Sequence, residues 1–232
     1  MFYGWRVVAG SFSAQLFVVG FFSYAVSLLV EPVKAEFGVS LEQVMYSLTV
    51  STLLGLFLQP VGGILVDRYS VRVIMAAGAA ISALGLWSLA QATSITQYIL
   101  VFALTMSLSN ALTGPVASTA VVSRWFTASR GRALGIAAMG TSVGGILIPA
   151  LITHWLDTHG WRGALENLAY CVVLVLLPVI LLSVRSHPAD VGLAAEPSGA
   201  GSAAAAPQHS GMSDILRNPS FWYIGLSLGV LF

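Results

Sequence analysis

The sequence predicts an all-α membrane protein with six transmembrane helices. Asp, Glu, Lys and Arg make up only 8% of the 232 residues, whereas hydrophobic residues make up 57%. The charges are also clustered, and the five longest stretches without any are 7–30, 43–66, 73–123, 133–156 and 167–184. A bilayer core about 30 Å thick requires roughly 20 apolar residues per helix, and a charged side chain inside that core is costly.

Four of these stretches hold one predicted helix each, and the stretch 73–123 holds two, separated by a polar break at 93–97. The predicted spans are Val7–Val30, Val44–Val66, Val73–Ala92, Tyr98–Val122, Ala133–Leu156 and Ala164–Val184. Tyr and Trp residues mark many of the span ends, which is typical of the boundary between bilayer and water.

The basic residues predict the orientation of these spans. With the N-terminus inside, only Lys34 and Arg162 lie outside, and the cytoplasmic side holds Arg6, Arg68, Arg72, Arg124, Arg130, Arg132, Arg185 and Arg217. This asymmetry is the positive-inside pattern, so we expect a multi-pass protein of the cytoplasmic membrane, inner or plasma. The lipid bilayer is therefore an expected partner. The net charge of +1 provides no basic field for nucleic acid.

The domain organisation changes after Arg185. Residues 1–185 are the predicted six-helix bundle, and residues 186–219 form a predicted cytoplasmic linker rich in Gly, Ala and Pro. Residues 220–232 are apolar but too few to cross a bilayer, so they predict the start of a seventh helix. On this interpretation the chain is the first half of a larger protein, and a C-terminal six-helix half is an expected partner.

The loop between the second and third spans carries a recognisable motif. It reads Gly62-Gly63-Ile64-Leu65-Val66-Asp67-Arg68-Tyr69-Ser70-Val71-Arg72. This loop resembles the signature of the major facilitator superfamily, Gly-x-Leu-Ala-Asp-Arg-x-Gly-Arg-Lys, in which the matching positions are Gly63, Leu65, Asp67, Arg68 and Arg72. Ser70 replaces the second glycine, and Val71 stands where a basic residue is usual. The resemblance implies alternating access by a six-helix half built from two inverted three-helix repeats.

The resemblance also implies a gating loop at the cytoplasmic face. In the family an ion-pair latch in this loop ties the two halves of the transporter together, and Arg124 is our candidate partner for Asp67. The other candidate members of the loop are Gly63, Arg68, Arg72 and Arg130. The alternative is that these arginines are ordinary positive-inside charges.

A second set of motifs narrows the resemblance. It comprises Tyr3-Gly4-Trp5-Arg6, Arg124-Trp125-Phe126, Arg130-Gly131-Arg132-Ala133-Leu134-Gly135 and Gly160-Trp161-Arg162. These resemble the monocarboxylate porter and oxalate/formate antiporter branch, which implies a small organic anion, a monocarboxylate or dicarboxylate, as substrate. Proton coupling and anion exchange both remain open. The six spans contain no Asp, Lys or Arg and no Glu except Glu166 at the start of the sixth span. The lysine that relatives often carry in helix one is also absent, which weakens the monocarboxylate assignment.

Polar side chains within the spans are the candidates for a substrate path. Helices one and four line the central cavity in the superfamily, so the candidates are Gln15, Tyr24, Asn110 and Thr113. The alternative is hydrogen bonding between helices. Gln59 precedes Pro60, and we expect its amide to satisfy backbone groups that the proline frees.

The fifth span contains a glycine pair followed by a proline. Gly140 and Gly144 have the small-xxx-small spacing that allows two helices to approach closely, and Gly145 and Pro149 follow them. These residues predict either ordinary close packing or a helix that bends during alternating access.

Two classes of function remain open. The first is a secondary transporter of a small molecule, either an organic anion or another small solute. The second is a non-transporting half-protein or subunit that requires a partner. We do not predict an enzyme, because the sequence has no metal-ligand spacing and no phosphate-binding loop. Accordingly we predict no catalytic residue, no metal and no cofactor.

Overall fold

The regular structure of residues 2–193 is helical. The computed structural model describes residues 2–193, and this range contains no strand. Five of its helices are long and apolar enough to cross a membrane, namely α1 (Gly4–Phe37), α2 (Leu41–Arg68), α3 (Val71–Ala90), α4 (Ile95–Trp125) and α5 (Arg130–Ser183). A short 3-10 helix, Pro188–Val191, follows α5. The all-helical class that the charge-free stretches predicted is therefore confirmed for the described residues.

Helix α5 consists of two helical limbs that meet at Gly160. The backbone of Gly160 has φ 69° and ψ −179°, a left-handed φ that glycine adopts readily because it has no Cβ. We call residues 130–159 the first limb and residues 161–183 the second limb. As one straight helix, the 54 residues of α5 would extend about 80 Å, far more than the thickness of a bilayer core.

Contacts with α1 give the direction of each limb. Along the first limb, Gly140 lies beside Phe12 and Gly144 beside Gly20, so this limb runs parallel to α1. The second limb starts near the end of α1, because Arg162 Nη2 donates to Glu36 Oε1 at 2.7 Å. It finishes near the beginning of α1, because the Tyr3 hydroxyl donates to the Leu182 carbonyl at 3.2 Å. The two limbs therefore run in opposite directions.

Helices α1 and α4 are interrupted where the sequence predicted continuous spans. In α1, two π-helical segments, Gln15–Val19 and Phe21–Ala25, flank Gly20. In α4, Gly114 is extended between the helical segments Ile95–Thr113 and Pro115–Trp125. The α4 break has a simple cause, because a proline lacks the N–H of a helix interior and disfavours helical geometry in the residue before it.

Glycines allow several helix pairs to pack at backbone distance. A Cβ built on Gly140 would overlap the Phe12 carbonyl oxygen, and one built on Gly144 would overlap the Leu16 carbonyl oxygen. Gly62 of α2 meets the Ala111 backbone of α4 in the same manner. Without a hydrophobic driving force between helices in lipid, such close packing is a main source of association.

One arginine joins three helix ends at the end of the bundle that contains Glu36, which we call the Glu36 end. Arg162 Nη2 donates to Glu36 Oε1 and to the Ala92 carbonyl, at 2.7 Å in both cases. Its Nη1 also donates to the Ala90 carbonyl, and its guanidinium lies 4.5 Å from the centroid of the Trp161 ring. Arg162 therefore links the ends of α1 and α3 to the start of the second limb.

The opposite end of the bundle, which we call the Asp67 end, includes part of the predicted linker. Ser186 is buried, its hydroxyl lies 3.0 Å from the Ser70 hydroxyl, and it accepts a hydrogen bond from the Val71 N–H at 2.9 Å. The remainder of the predicted linker, 194–219, and the predicted seventh helix, 220–232, lie outside the described residues.

We expect Gly144→Ala to destabilise the bundle and Gly135→Ala to leave it intact. The Gly144 methyl would overlap backbone atoms of α1, and overpacking of this kind typically costs about 1–3 kcal/mol. Gly135 lies in the same limb with no atom within 4 Å of its Cβ position, so alanine there should be neutral or stabilising by up to about 1 kcal/mol. Thermal unfolding in detergent measures both, and equal melting temperatures would contradict the proposed packing.

We expect Arg162→Gln to lower the melting temperature by several degrees, because two carbonyls and a carboxylate lose their shared donor. Groups that lose a partner in this way typically cost about 1–3 kcal/mol. Lys34→Gln is the control, since it removes only an exposed i,i+3 pair with Glu31 and should have little effect. A similar loss of stability in both variants would show that the three-helix junction has no special role.

Candidate functional site

A small polar cavity lies where α1, α2 and α4 meet. Its volume is about 80 Å³, and its lining is Phe22, Ser51, Thr52, Gly55, Gln59, Ser107 and Asn110. The hydroxyls of Ser51 and Ser107 lie 2.9 Å apart, and Ser107 also donates to the Ser51 carbonyl at 2.6 Å. These hydrogen bonds fix α2 against α4 at the base of the cavity. No charged side chain lines it.

The small cavity continues into a larger groove on the outer face of α2. The groove has a volume of about 640 Å³ and is lined by Thr52, Leu53, Gly55, Leu56, Gln59, Pro60, Gly63 and Val116. Thr52, Gly55 and Gln59 line both spaces. The groove is mostly apolar, and Gln59 and Thr52 supply polar groups at its junction with the small cavity. Pockets with few polar groups on an apolar wall are typical of small-molecule sites.

Asn110 is the predicted path residue that lines the cavity. Its Oδ1 atom is buried and has no hydrogen-bond partner within the described residues. Buried polar atoms almost always have a partner in proteins or in ordered water, so an unpaired amide oxygen beside a cavity is a candidate for contact with a solute or water. The amide also carries two N–H donors, which suit a carboxylate.

The other three predicted path residues lie elsewhere. Gln15 is buried between helices, where its Oε1 accepts from the Thr141 hydroxyl of the first limb at 3.2 Å. Thr113 is fully buried and donates to the Met75 carbonyl of α3 at 3.0 Å. Tyr24 is 47% exposed and packs against Gly145. Their predicted place in a substrate path stays a prediction, and our proposal below does not depend on them.

The predicted gating pair is in contact at the Asp67 end. Arg124 Nη2 lies 3.3 Å from Asp67 Oδ1 and donates to the Val66 carbonyl at 2.9 Å. The Asp67 side chain is 79% exposed, whereas that of Arg124 is only 20% exposed. The second hydrogen bond holds Arg124 in place at the end of α4, and the exposed carboxylate remains accessible to another group. The role of this pair as a latch stays a prediction.

The other members of the predicted gating loop surround this pair. Gly63, Asp67 and Arg130 line one pocket of about 340 Å³, together with Ser123, whose hydroxyl accepts from Arg130 Nε at 3.1 Å. Arg68 is exposed. Arg72 is partly buried, and its Nε has no hydrogen-bond partner within residues 2–193. The loop therefore combines a fixed arginine, Arg124, with a pocket that opens beside an exposed carboxylate.

The glycines of the fifth span divide into two roles. Gly140 and Gly144 meet α1 at backbone distance, as their spacing predicted, whereas Gly145 faces the Tyr24 ring. The chain remains helical at Pro149, and the non-helical residue of α5 is Gly160. A bend in this helix during transport stays a prediction.

Several cavity residues were missed from the sequence. Gln59 was expected to serve the backbone around Pro60, but it makes no such hydrogen bond in the described part of the chain and lines both cavities instead. Ser51, Gly55 and Gln59 follow one another at steps of four on α2, which places them on one helix face. That stripe was the available signal. The sequence carries no such signal for Phe22, because the position of Phe22 depends on the π-helical segment of α1.

The chain belongs to the Major Facilitator Superfamily, whose family model matches residues 12–232. The superfamily resemblance of the loop after α2 is therefore confirmed. This superfamily is one of membrane transporters and not of enzymes, and the relatives below carry names of that class.

Three curated relatives illustrate the range of the family. The Fujikurins efflux protein of Gibberella fujikuroi is 34% identical over 62% of this chain and 30% of its own length. The oxalate:formate antiporter of Oxalobacter formigenes is 25% identical over 87% of this chain and 46% of its own length. Monocarboxylate transporter 13 of Rattus norvegicus is 29% identical over 70% of this chain and 38% of its own length. The latter two belong to the branch that the motifs predicted. The chain spans about half or less of the length of these relatives.

A solved structure shows the same fold. It is a crystal structure of a bacterial homologue of the human lysosomal transporter Spinster, in an inward-facing and unoccupied conformation. The TM-score is 0.71, and the match covers 97% of this chain and 51% of that chain, with 18% sequence identity. At that identity the likeness concerns the fold alone.

We expect Asp67→Asn to impair transport without preventing membrane insertion. An exposed ion pair contributes about 0–1 kcal/mol, so the melting temperature should change little, whereas a latch would lose its charge. Glu42→Gln is the matched control, because it removes one exposed carboxylate at the opposite end of the same helix. Uptake into vesicles by protein of natural length measures the effect, and normal uptake by Asp67→Asn would remove the latch hypothesis.

Proposed function

We propose that the protein is a secondary transporter that moves a small organic anion, a monocarboxylate or dicarboxylate, by alternating access. The observation that carries this proposal is the uncharged polar cavity around Asn110 and Gln59, set in an otherwise apolar bundle and open at the outer face of α2. A path across the membrane requires polar groups that can contact a solute, and the Asn110 Oδ1 atom has no hydrogen-bond partner within residues 2–193 and lies beside the cavity.

The anion class is supported by the relatives and by the chemistry of the cavity. One relative is named as an oxalate:formate antiporter and another as a monocarboxylate transporter. The amide donors of Asn110 and Gln59 and the hydroxyl of Thr52 can each donate to a carboxylate. No cation lies in this cavity, so in our proposal the compensating positive charge comes from the second half of the transporter or from a coupled proton.

We further propose that the described residues are one six-span half of the transporter. The two antiparallel limbs of α5 then serve as the fifth and sixth spans, and spans one to three and four to six form the two inverted repeats. The exposed apolar faces of α2 and the first limb support a missing partner half. Leu56 is 68% exposed, Phe57 70% and Ile146 78%. In this arrangement the second half covers both faces and closes the groove into a central path.

The proposed orientation places the Asp67 end in the cytoplasm of a cell with an inner or plasma membrane. The excess of arginine at this end supports that assignment, because positively charged loops are retained on the cytoplasmic side. The Asp67–Arg124 pair then acts as the cytoplasmic gate. Asp67 is exposed enough to contact the partner half in the outward-facing state and to lose that contact in the inward-facing state.

A second candidate substrate class is a neutral or larger solute. The absence of any charged side chain from the cavity and groove linings favours it, and the relative named as a fujikurins efflux protein shows that the family also exports other compounds. The distinction lies in the substrate alone, because both candidates use the same cavity.

We expect counterflow of radiolabelled oxalate, formate or lactate in vesicles that contain the protein at natural length. Gln59→Leu and Asn110→Leu should each reduce the rate about tenfold, because a leucine removes polar groups that contact the solute. Gln91→Leu is the matched control, since the Gln91 amide donates a hydrogen bond to Glu166 at the Glu36 end, outside both the small cavity and the groove. If no monocarboxylate or dicarboxylate in a panel shows counterflow, the anion class is excluded. Unchanged rates in both cavity variants would exclude the cavity as the substrate site.

A further inference from the structure

We infer that Arg6 and Arg132, together with the rings of Tyr3 and Trp5, form a binding site for the headgroup of an anionic phospholipid in the leaflet at the Asp67 end. The two arginines come from separate motifs, Tyr3-Gly4-Trp5-Arg6 at the start of α1 and Arg130-Gly131-Arg132 at the start of α5. The proposed transport mechanism uses neither arginine.

The structure brings both motifs onto one aromatic platform. The Trp5 ring packs on Phe126 with centroids 5.1 Å apart, and the Tyr3 ring stacks on Trp125 at 5.3 Å. Trp125 is itself fixed, because its Nε1 donates to the Arg185 carbonyl at 2.9 Å. The platform is therefore tied to α4 and to the end of the second limb, and it gives the first residues of α1 a defined position.

Each arginine lies over one ring of this platform. The Arg132 Cζ atom is 5.7 Å from the centroid of the Trp5 ring, and the Arg6 Cζ atom is 5.5 Å from that of Tyr3. Both arginines are exposed. A guanidinium held beside a ring retains N–H donors, whose fork geometry can bind two oxygens of a phosphate.

Neither guanidinium has a carboxylate partner within the described residues. The three ion pairs of residues 2–193 involve Lys34, Arg124 and Arg162. At the Asp67 end, the described arginines outnumber the acids seven to two, the acids being Asp67 and Asp190. An anion would therefore find an attractive field here with little competition from acidic side chains.

The position in the bilayer selects a lipid as the source of that anion. Arg6 and Arg132 lie in the first turns of two apolar helices, where the chain enters the membrane, and Trp and Tyr rings favour the level of the headgroups. Basic side chains near an anionic leaflet each contribute about 1 kcal/mol to binding, so two that act on one headgroup can retain it. A free anion in water lacks the acyl chains that would hold it beside these helices.

Native mass spectrometry of the detergent-purified protein, titrated with phosphatidylglycerol or phosphatidylcholine, tests the site. We expect one phosphatidylglycerol to be retained in preference to phosphatidylcholine, and Arg6→Gln/Arg132→Gln to weaken its binding at least about fivefold. Arg68→Gln is the control for lipid binding, because it removes one exposed charge at the same end away from the platform, and it should retain the lipid.

Three results would overturn the proposal. The first is equal retention of the two lipids by the unaltered protein, and the second is unchanged phosphatidylglycerol binding in the double variant. The third is an equal loss of phosphatidylglycerol binding in Arg68→Gln, which would indicate a general charge effect. Competition by millimolar inorganic phosphate would instead assign the site to a free anion and would also overturn it. The comparison of lipids on the unaltered protein stands even if the double variant fails to fold.

Discussion

The contact between α1 and the first limb of α5 at Gly20 and Gly144 is the constraint on which the rest of the bundle depends. In lipid, apolar side chains gain little by meeting each other, so helices associate through close backbone packing and hydrogen bonds. Here the two backbones touch, because a Cβ on Gly20 would lie 2.8 Å from the Gly144 Cα atom. This contact fixes α1, whose π-helical segment in turn places Phe22 in the cavity that α2 and α4 complete.

Polar groups have different roles inside the bundle and at its two ends. Inside the bundle, Gln15 pairs with Thr141, Ser51 with Ser107 and Thr113 with the α3 backbone, so these groups are satisfied between helices. Charged groups lie at the two ends, where Arg124 and Arg162 bind both a carboxylate and helix-terminal carbonyls. Among the polar groups that remain, the hydroxyls of Ser11, Ser109 and Ser118 are buried without a partner in the described part of the chain. The amides of Asn110 and Gln59 border the cavity, which is why we assign the substrate to it.

The sequence allowed the helices to be predicted but not their neighbours. Charge-free stretches located the apolar segments, and the loop motif and the Gly140–Gly144 spacing predicted contacts that the structure contains. A polar stripe, however, shows only that a helix face is polar, and it does not show which helix that face meets. Thr113 therefore faces α3 instead of the cavity. Apolar periodicity does not indicate the π-helical segments of α1. Pro115 is the residue that marks the break in α4.

Thiol labelling with protection by the solute tests most directly whether the α2 cavity is a transport path. In protein of natural length with Cys171 replaced by alanine, Thr52→Cys places a thiol in the cavity, and Leu84→Cys places one in an apolar groove between α3 and the second limb. The account predicts that a membrane-impermeant maleimide labels Thr52→Cys, that the transported solute slows this labelling, and that Leu84→Cys stays unlabelled. Failure to label Thr52→Cys, or labelling that the solute does not affect, would contradict it.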